Sequence, residues 1–362
     1  MNINETNIGR RTVLRLIGAN AAIAGVARLL SPLVAQPAQA AEAAPESGAK
    51  AARVVADPTN IPPPIERDHA AHHDITMVAK EVIGEIEPGA TFLYMTFDGQ
   101  VPGPMLRVRE GDTISLTLKS PNDNALVHNV DLHAVYGTGG GAAATVVRPG
   151  QSKTIHFKAM YPGAFVYHCA VPDMDTHISS GMYGLIVVEP KHGLPKVNRE
   201  FYLGYNEVYT VQGFGVKGRH TFDAAAMVRE SPTYVLFNGA TYALTKSRLG
   251  AMQAKVGETV RVFLVNGGPN FTCNFHPIGN VWSRAWPEGA LANAPRRYLQ
   301  TLPVPPGSAF VGEMELPLAE TIKLVDHSLS RVVHKGLMAE IEVAGKAAPE
   351  IFHGEAGAGT AH

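Results

Sequence analysis

The sequence predicts an all-β protein made of two tandem β-sandwich domains. Residues 113–118 and 259–264 alternate polar and apolar side chains, as strands with one buried face do. Two short sequences recur in the same order along the chain: RPGQS (148–152) with PPGSA (305–309), and YHCA (167–170) with DHSL (326–329). One β unit therefore occurs twice. The 36 glycines and 26 prolines suit the many turns of such a fold.

We divide the chain where this pattern begins, repeats and ends. The segments are a signal peptide (1–40), a flexible lead-in rich in Ala and Pro (41–68), a first domain (69–192), a second domain (193–345) and a C-terminal tail (346–362). Long helices are not indicated, and one short helix fits residues 222–229.

The first 40 residues predict export. Two arginines at 10–11 form a twin-arginine pattern, and the apolar stretch at 16–27 is shorter than the roughly 20 residues that a membrane helix needs. The sequence AQA at 38–40 is an A-x-A cleavage site. Because twin-arginine export carries folded proteins to the bacterial periplasm, we expect the mature protein there.

Charge and cysteine content narrow the class of protein. A net charge of −1 gives no electrostatic reason to expect nucleic acid or an anionic membrane as a partner. The chain has two cysteines, and in an oxidising compartment they would ordinarily suggest a Cys169–Cys273 disulfide. That interpretation leaves the histidines and methionines around Cys169 unexplained.

Metal-binding side chains are concentrated in two stretches, LVHNVDLH (126–133) and FVYHCAVPDMDTHISSGM (165–182). Successive side chains of a strand point to opposite faces, so the adjacent His168 and Cys169 must face opposite ways. His128 and His133, five residues apart, also face opposite ways in an extended segment. The simplest sorting groups His128 with Cys169, and it groups Asp131 and His133 with His168. Two sites are then expected on opposite sides of one β layer, joined by the His168–Cys169 peptide.

The first group is completed by His177 and Met182. Two imidazoles, one thiolate and one thioether suit a type 1 copper site for electron transfer. Met174 competes for the thioether position, but it precedes His177 within the ligand loop. The order Cys-His-Met, usual for such sites, favours Met182.

The second group leaves a metal under-coordinated, because His133 and His168 supply only two imidazoles. His327 is the leading candidate for the third, since it lies in the second-domain strand that repeats FVYHC. Three histidines with an open position make a catalytic metal site, because substrate can bind the metal directly. Such ligands suit type 2 copper, although zinc would also accept them.

Two further residues are candidates for proton transfer. Asp131 lies on the same face as His133, near the open position, where it would otherwise be a solvated acid or orient a ligand histidine. His276 in CNFHPIGN is exposed by alternation, opposite Phe275, although an ordinary strand histidine would show the same spacing. Together they would form a pair of titratable groups able to deliver protons to a metal-bound oxygen.

The combination of HNVDLH, YHCA, HISSGM, NFHPIG and LVDHS resembles the copper-containing nitrite reductases, and the resemblance runs from about residue 70 to 345. It implies two tandem cupredoxin-like Greek-key β-sandwich domains and a homotrimer. It also implies the ligands: His128, Cys169, His177 and Met182 for type 1 copper, and His133 and His168 with His327 of the next subunit for type 2 copper. By the same resemblance Asp131 and His276 are the catalytic pair, Ile278 is a wall over the substrate copper, and Gln300 and Thr301 lie behind the site residues.

The reaction implied by this resemblance is one-electron reduction of nitrite to nitric oxide and water. A small periplasmic donor, a cupredoxin or a cytochrome c, would reduce the type 1 copper, and the electron would cross the Cys169–His168 bridge to the type 2 copper. Asp131 and His276 would supply the two protons. The loop of seven residues between Cys169 and His177 looks like the shorter of the family's loop forms, and the donor docks near it.

Two alternative functions fit less of the sequence. A multicopper oxidase needs several His-x-His pairs and an HCH triplet, whereas this chain has no His-x-His pair and reads YHCA at its cysteine. A blue-copper electron carrier would use the first group of ligands alone. It would leave His133, His168 and His327 without a role.

Overall fold

The computed structural model describes residues 51–354, so the predicted signal peptide and residues 355–362 lie outside the described part of the chain. The strands there are β1 (His72–Glu87), β2 (Ala90–Phe97), β3 (Leu106–Arg109), β4 (Thr113–Lys119), β5 (Asp131–Leu132), β6 (Ser152–Lys158), β7 (Gly163–His168), β8 (Tyr183–Glu189), β9 (Arg199–Val208), β10 (Gly218–His220), β11 (Tyr234–Phe237), β12 (Met252–Lys255), β13 (Thr259–Gly268), β14 (Cys273–Ile278), β15 (Trp282–Trp286), β16 (Arg296–Leu299), β17 (Leu302–Val304), β18 (Ser308–Glu315), β19 (Glu320–Asp326) and β20 (Ala339–Ala344). The helices there are α1 (Met174–Ser179), α2 (Ala224–Val228) and α3 (Ser330–Lys335), with 3-10 segments at Thr138–Ala144 and Pro287–Gly289. No helix in residues 51–354 is long and apolar enough to cross a membrane.

Four sheets form two β-sandwiches, as the sequence predicts. The first sandwich packs the sheet β10-β2-β1-β4-β6 against β3-β8-β7-β5. The second packs β11-β9-β13-β18-β15-β16 against β12-β20-β19-β14-β17. Short helices are confined to connections, and α2 lies within the stretch where one was expected.

The duplication seen in the sequence is also a duplication of strand pairing. In the first sandwich β1 runs parallel to β4, and β3 runs parallel to β8. In the second sandwich β9 runs parallel to β13, and β12 runs parallel to β20. The strands that follow RPGQS and PPGSA, β6 and β18, pair antiparallel with β4 and β13 respectively. The two copies therefore share these strand pairings.

Each sandwich has its own apolar core, and a third core joins them. Side chains from both copies meet in this shared core, among them Tyr183 and Leu185 of β8 with Tyr202 of β9 and Phe263 of β13. All four are essentially inaccessible to solvent. Because burial of large side chains is the main favourable term in folding, this contact holds the two sandwiches together.

The structure corrects the prediction of a flexible lead-in for its described part, residues 51–68. Val54, Val55 and Ala56 are buried, and Val55 forms a β-bridge with Val101. The backbone N–H of Ala56 donates to the carbonyl of Val101 at 3.1 Å. This short apolar run lies within a polar, Pro-rich stretch, and it adds to the sheet because its side chains fill the edge of the core.

Buried ion pairs cross from the first sandwich to the second. Arg107 of β3 has no exposed side-chain surface, and it donates to Glu189 at 2.5 Å and to Glu200 of β9 at 2.6 Å. Glu200 also pairs with Arg261 of β13, which pairs in turn with Glu313 of β18. Each buried charge has a partner of opposite sign, as burial in a medium of low dielectric constant requires.

Replacing Arg107 by Met should destabilise the protein by about 3–5 kcal/mol, because it leaves Glu189 buried without its cation. Denaturant unfolding followed by intrinsic fluorescence measures the change. Lys246→Met, at the exposed pair with Glu342, is the control and should leave the midpoint unchanged. Equal midpoints for the two variants would contradict a stabilising role for the buried pairs.

Candidate metal centres

The first candidate centre brings together His128, Cys169 and His177. Their ligand atoms lie within 4.8 Å of one another, and all three residues are buried. His128 precedes β5 and bridges to Val147, Cys169 follows β7, and His177 lies on α1. The His177 Nδ1 atom is 3.5 Å from the Cys169 Sγ atom. The parity argument grouped His128 with Cys169, and the structure has them in one cluster.

The imidazole of His128 has one nitrogen committed and one free. Its Nε2 atom lies 3.1 Å from the Oε1 atom of Glu81, whereas its buried Nδ1 atom has no hydrogen-bond partner. With Nε2–H donating to the carboxylate, Nδ1 carries the lone pair and belongs to the cluster. A buried nitrogen without a partner is costly, so the donor set fits a metal ion.

Burial sets the protonation of this centre. It raises the pKa of the Cys169 thiol, and backbone hydrogen bonds lower it only in part. Burial, followed by the neighbouring His128 ring, lowers the pKa of His177 to about 4. Near neutral pH the imidazole of His177 is therefore neutral and able to act as a ligand, whereas a metal must displace the Cys169 proton on binding.

Met182, the predicted thioether ligand, is fully buried beside the same turn. The backbone N–H of Cys169 donates to the carbonyl of Met182 at 3.1 Å, and the N–H of Met182 donates to the carbonyl of His177 at 3.0 Å. Met174, its competitor, is 47% exposed at the start of α1. The burial of the two residues favours Met182.

The second candidate centre brings together Asp131, His133 and His168. Their ligand atoms also lie within 4.8 Å of one another. Asp131 of β5 pairs directly with His168 of β7, and the Nε2 atoms of His133 and His168 are 3.1 Å apart. Burial, and then the neighbouring His168, lowers the pKa of His133, which favours its neutral, ligand form. Two facing imidazole nitrogens with a carboxylate beside them fit a divalent metal.

The two centres share one backbone segment. His168 belongs to the second cluster and Cys169 to the first, so a single peptide bond joins them. The Nδ1 atom of His168 lies 3.0 Å from the carbonyl oxygen of Cys169. This hydrogen bond fixes the tautomer with the proton on Nδ1 and leaves Nε2 as the ligand atom.

The remaining predicted site residues form a separate group in the second sandwich. The rings of His276 on β14 and His327, directly after β19, are 5.0 Å apart and perpendicular. His327 is exposed, as is Ile278 two residues beyond His276. Among the described residues, neither histidine joins the cluster of Asp131, His133 and His168. In the described part of the chain, the predicted site residues therefore lie in two separate groups.

The imidazole of His276 is held by Gln300 and Thr301, the two residues expected behind the site. The Nδ1 atom of His276 lies 2.9 Å from the carbonyl oxygen of Gln300 and 3.2 Å from the hydroxyl of Thr301. The backbone N–H of His327 donates to the carbonyl of Asn274 at 2.8 Å, which joins β14 to the segment after β19.

Two residues that contact the first centre were missed by sequence reasoning. Glu81 lies on β1, remote in sequence from His128, so local spacing gives no sign of it. Asn129 lies inside the HNVDLH motif. Its side-chain oxygen accepts from the backbone N–H of Ala170 at 2.6 Å, and its amide donates to the carbonyl of Ala142 at 3.2 Å. An amide adjacent to a ligand histidine was the only available signal.

Proteins with an assigned name are similar in sequence to most of this chain. The copper-containing nitrite reductase of Neisseria meningitidis serogroup B is 43% identical over 293 residues, which are 81% of this chain and 74% of that protein. The copper-containing nitrite reductase of Cereibacter sphaeroides is 35% identical over 90% of this chain and 94% of that protein. The chain belongs to the copper-containing nitrite reductases. The solved copper nitrite reductase from Nitrosomonas europaea has the same fold, with a TM-score of 0.68 and 34% identity over 77% of this chain and 96% of that one.

A second family shares part of this architecture. A family model described as multicopper oxidase matches residues 83–193. A solved multicopper oxidase superposes with a TM-score of 0.61 and 27% identity over 75% of this chain.

Replacing Glu81 by Gln should raise the reduction potential of copper bound at the first centre by about 60 mV, a tenfold shift for one electron. The carboxylate makes the imidazole of His128 a stronger donor, which favours the cupric state. Spectroelectrochemical titration of the visible absorption measures the potential. Glu85→Gln removes an exposed carboxylate from the same strand and is the control. A potential equal to that of the control would show that the Glu81 charge does not act on His128.

Proposed function

We propose that the protein reduces nitrite to nitric oxide and water in the reaction NO₂⁻ + 2H⁺ + e⁻ → NO + H₂O. The observation that carries this proposal is the peptide bond between His168 and Cys169, which joins two different ligand clusters. One cluster contains a thiolate precursor and is closed to solvent. The other is formed of histidines and a carboxylate, as a site for an anionic substrate with proton transfer requires.

The proposed ligand sets combine these clusters with Met182 and His327, which the sequence order and the family resemblance supply. Type 1 copper binds to His128, Cys169, His177 and Met182, and type 2 copper binds to His133, His168 and His327 of the partner subunit. Bound copper supplies one-electron redox chemistry at both centres and Lewis acidity toward the nitrite anion at the second.

The residues between the centres provide the electron path. The Cys169 side chain and backbone lead directly into His168, and the hydrogen bond from His168 Nδ1–H to the Cys169 carbonyl adds a second, shorter connection. His168 is fixed in a β ladder, because it pairs with Asp131 on one side and with Tyr183 on the other, and the backbone N–H of Cys169 donates to the carbonyl of Met182. The path is therefore preorganised rather than formed on binding.

Two groups hold the protons that the reaction consumes. Asp131 presents its carboxyl beside His133 and His168. His276 donates from Nδ1 to the carbonyl of Gln300, so its Nε2 atom remains to carry a proton toward substrate. Ile278, exposed at the end of β14, would form the apolar wall over the substrate copper.

The catalytic site needs a second chain. His133 and His168 supply two imidazoles, and the described residues of the same chain bring no third one to them. The rings of His327 and His276 lie side by side at the surface, which suits completion of the histidine set on a neighbouring chain. Head-to-tail contacts of this kind close into a ring, and the family resemblance makes that ring a homotrimer.

The protein acts in the periplasm. The twin-arginine pattern and the A-x-A site support this location, because that route exports folded proteins with their cofactors. A small periplasmic cupredoxin or cytochrome c supplies the electron at the first centre.

The decisive test is nitric oxide formation from ¹⁵N-nitrite by the copper-loaded protein with a one-electron reductant, followed by membrane-inlet mass spectrometry. Two coppers per chain, with only the type 2 EPR signal changed by nitrite, are the expected result.

Asp131→Asn should keep both coppers and the visible absorption but lower turnover by about 100-fold, within the range for loss of a general acid.

Three other outcomes would count against this proposal. One copper per chain with a type 1 signal alone would indicate an electron carrier. Oxygen consumption without nitric oxide would indicate an oxidase. Full turnover of Asp131→Asn with full copper would remove Asp131 from proton transfer.

Mixing two inactive variants tests the shared site. His327→Ala and His133→Ala should each lose type 2 copper while keeping the type 1 absorption. Co-expressed, they should recover type 2 copper and turnover at about a quarter of the sites. At random association, that fraction of contacts joins a chain with an intact His133 to a neighbour with an intact His327. No recovery in mixed oligomers, checked with two affinity tags, would place all the ligands within one chain.

A further inference from the structure

A glycine-rich segment lies directly against the Asp131 carboxylate. This segment, the 3-10 stretch Thr138–Ala144, is called the glycine turn below. Gly140 has φ +53°, and a Cβ atom added there would lie 2.0 Å from the Oδ1 atom of Asp131. The same atom would lie 2.8 Å from the carbonyl oxygen of Leu132 and 2.9 Å from its nitrogen. A side chain at position 140 would therefore occupy the place of the carboxylate.

The glycine turn is fixed to the strand segment that carries Asp131. The hydroxyl of Thr145, directly after the turn, accepts from the backbone N–H of Val130 and lies 3.0 Å from its carbonyl oxygen. The amide of Asn129 donates to the carbonyl of Ala142, inside the turn. Gly141 also lacks room for a side chain, since a Cβ there would lie 2.7 Å from Ile155. The turn consequently has little freedom to move away from Asp131.

We propose that Gly140 is a positioning residue, whose missing side chain holds the Asp131 carboxylate beside His133 and His168. This inference rests on the proposed function, in which Asp131 delivers a proton to the substrate. The carboxylate fills the space over a bare backbone, and the fixed turn limits how far it can swing. Only glycine serves here, because the left-handed conformation is costly for other residues and any Cβ would displace the carboxylate.

The chain provides a matched control one residue away. Gly139 has φ +57°, almost the same backbone conformation as Gly140. A Cβ atom added at Gly139 would meet only the Cβ of Ala142, at an ordinary distance of 3.7 Å. Gly139→Ala therefore carries a similar cost of left-handed backbone conformation as Gly140→Ala, but it contacts neither Asp131 nor the backbone of Leu132.

The experiment compares the crystal structures, copper contents and nitrite kinetics of copper-loaded wild-type protein, Gly139→Ala and Gly140→Ala. Gly140→Ala should move the Asp131 carboxylate, keep both coppers and lower kcat by about 10- to 100-fold, because misplacement of a reacting group by 1 Å can cost that much. Gly139→Ala should leave the carboxylate in place and kcat nearly unchanged. In the Asp131→Asn background, Gly140→Ala should cause little further loss, because the group it acts through is already gone.

Three results would overturn this inference. One is a wild-type crystal structure with the Asp131 carboxylate away from residue 140, which needs no variant to fold. Another is equal loss of kcat in Gly139→Ala and Gly140→Ala. The third is the same factor of loss for Gly140→Ala with and without Asp131. If wild-type protein formed no nitric oxide, the proposed function would fail, whereas the carboxylate positions would still decide the structural role of Gly140.

Discussion

The organisation of this protein depends on the alternation of side chains at the end of one strand. β7 ends at His168, and Cys169 follows it, so adjacent residues must point to opposite sides of the sheet. One side is the interior of the first sandwich, where a thiol can be buried with His128 and His177. The other side carries Asp131 and His133. Two centres with different surroundings, one dry and one accessible, are thereby placed a single peptide bond apart.

The first candidate centre has the buried donor atoms that a metal ion would need. The Glu81 carboxylate accepts from Nε2 of the His128 ring, whereas Nδ1 of the same ring has no hydrogen-bond partner. Burial keeps His177 neutral at physiological pH and keeps the Cys169 thiol protonated until a metal replaces the proton. A metal ion bound here would give the buried polar atoms the partner that the surrounding protein does not provide. In the proposed function, a preorganised site of this kind would reorganise little when an electron arrives, which suits rapid transfer.

The sequence was a reliable guide where local periodicity decides the outcome. Strand alternation and the internal repeat predicted two sandwiches, and side-chain parity predicted the two groups of candidate residues, because these arguments need only the pattern within each strand and its recurrence in the chain. Contacts between distant segments were not predictable in this way. Glu81 reaches His128 only because β1 lies beside the segment that follows β4, and the Arg107–Glu200 pair exists only once the two sandwiches meet. Composition predicts a flexible lead-in, whereas Val54, Val55 and Ala56 in this segment are buried against the core.

The internal duplication explains why the catalytic site would need two chains. In the first copy the end of β7 supplies two ligands, one to each face. In the second copy the equivalent strand, β19, ends at Asp326 and is followed by His327 and Ser328, so a serine replaces the thiol at the position equivalent to Cys169. Asp326 is fully buried and instead binds Arg331 at 2.6 Å and the N–H of Ser328 at 2.9 Å, which fixes the backbone of the turn that presents His327. The second copy thus presents only an exposed histidine, His327, and in the proposed function this residue completes the metal site of a neighbouring chain.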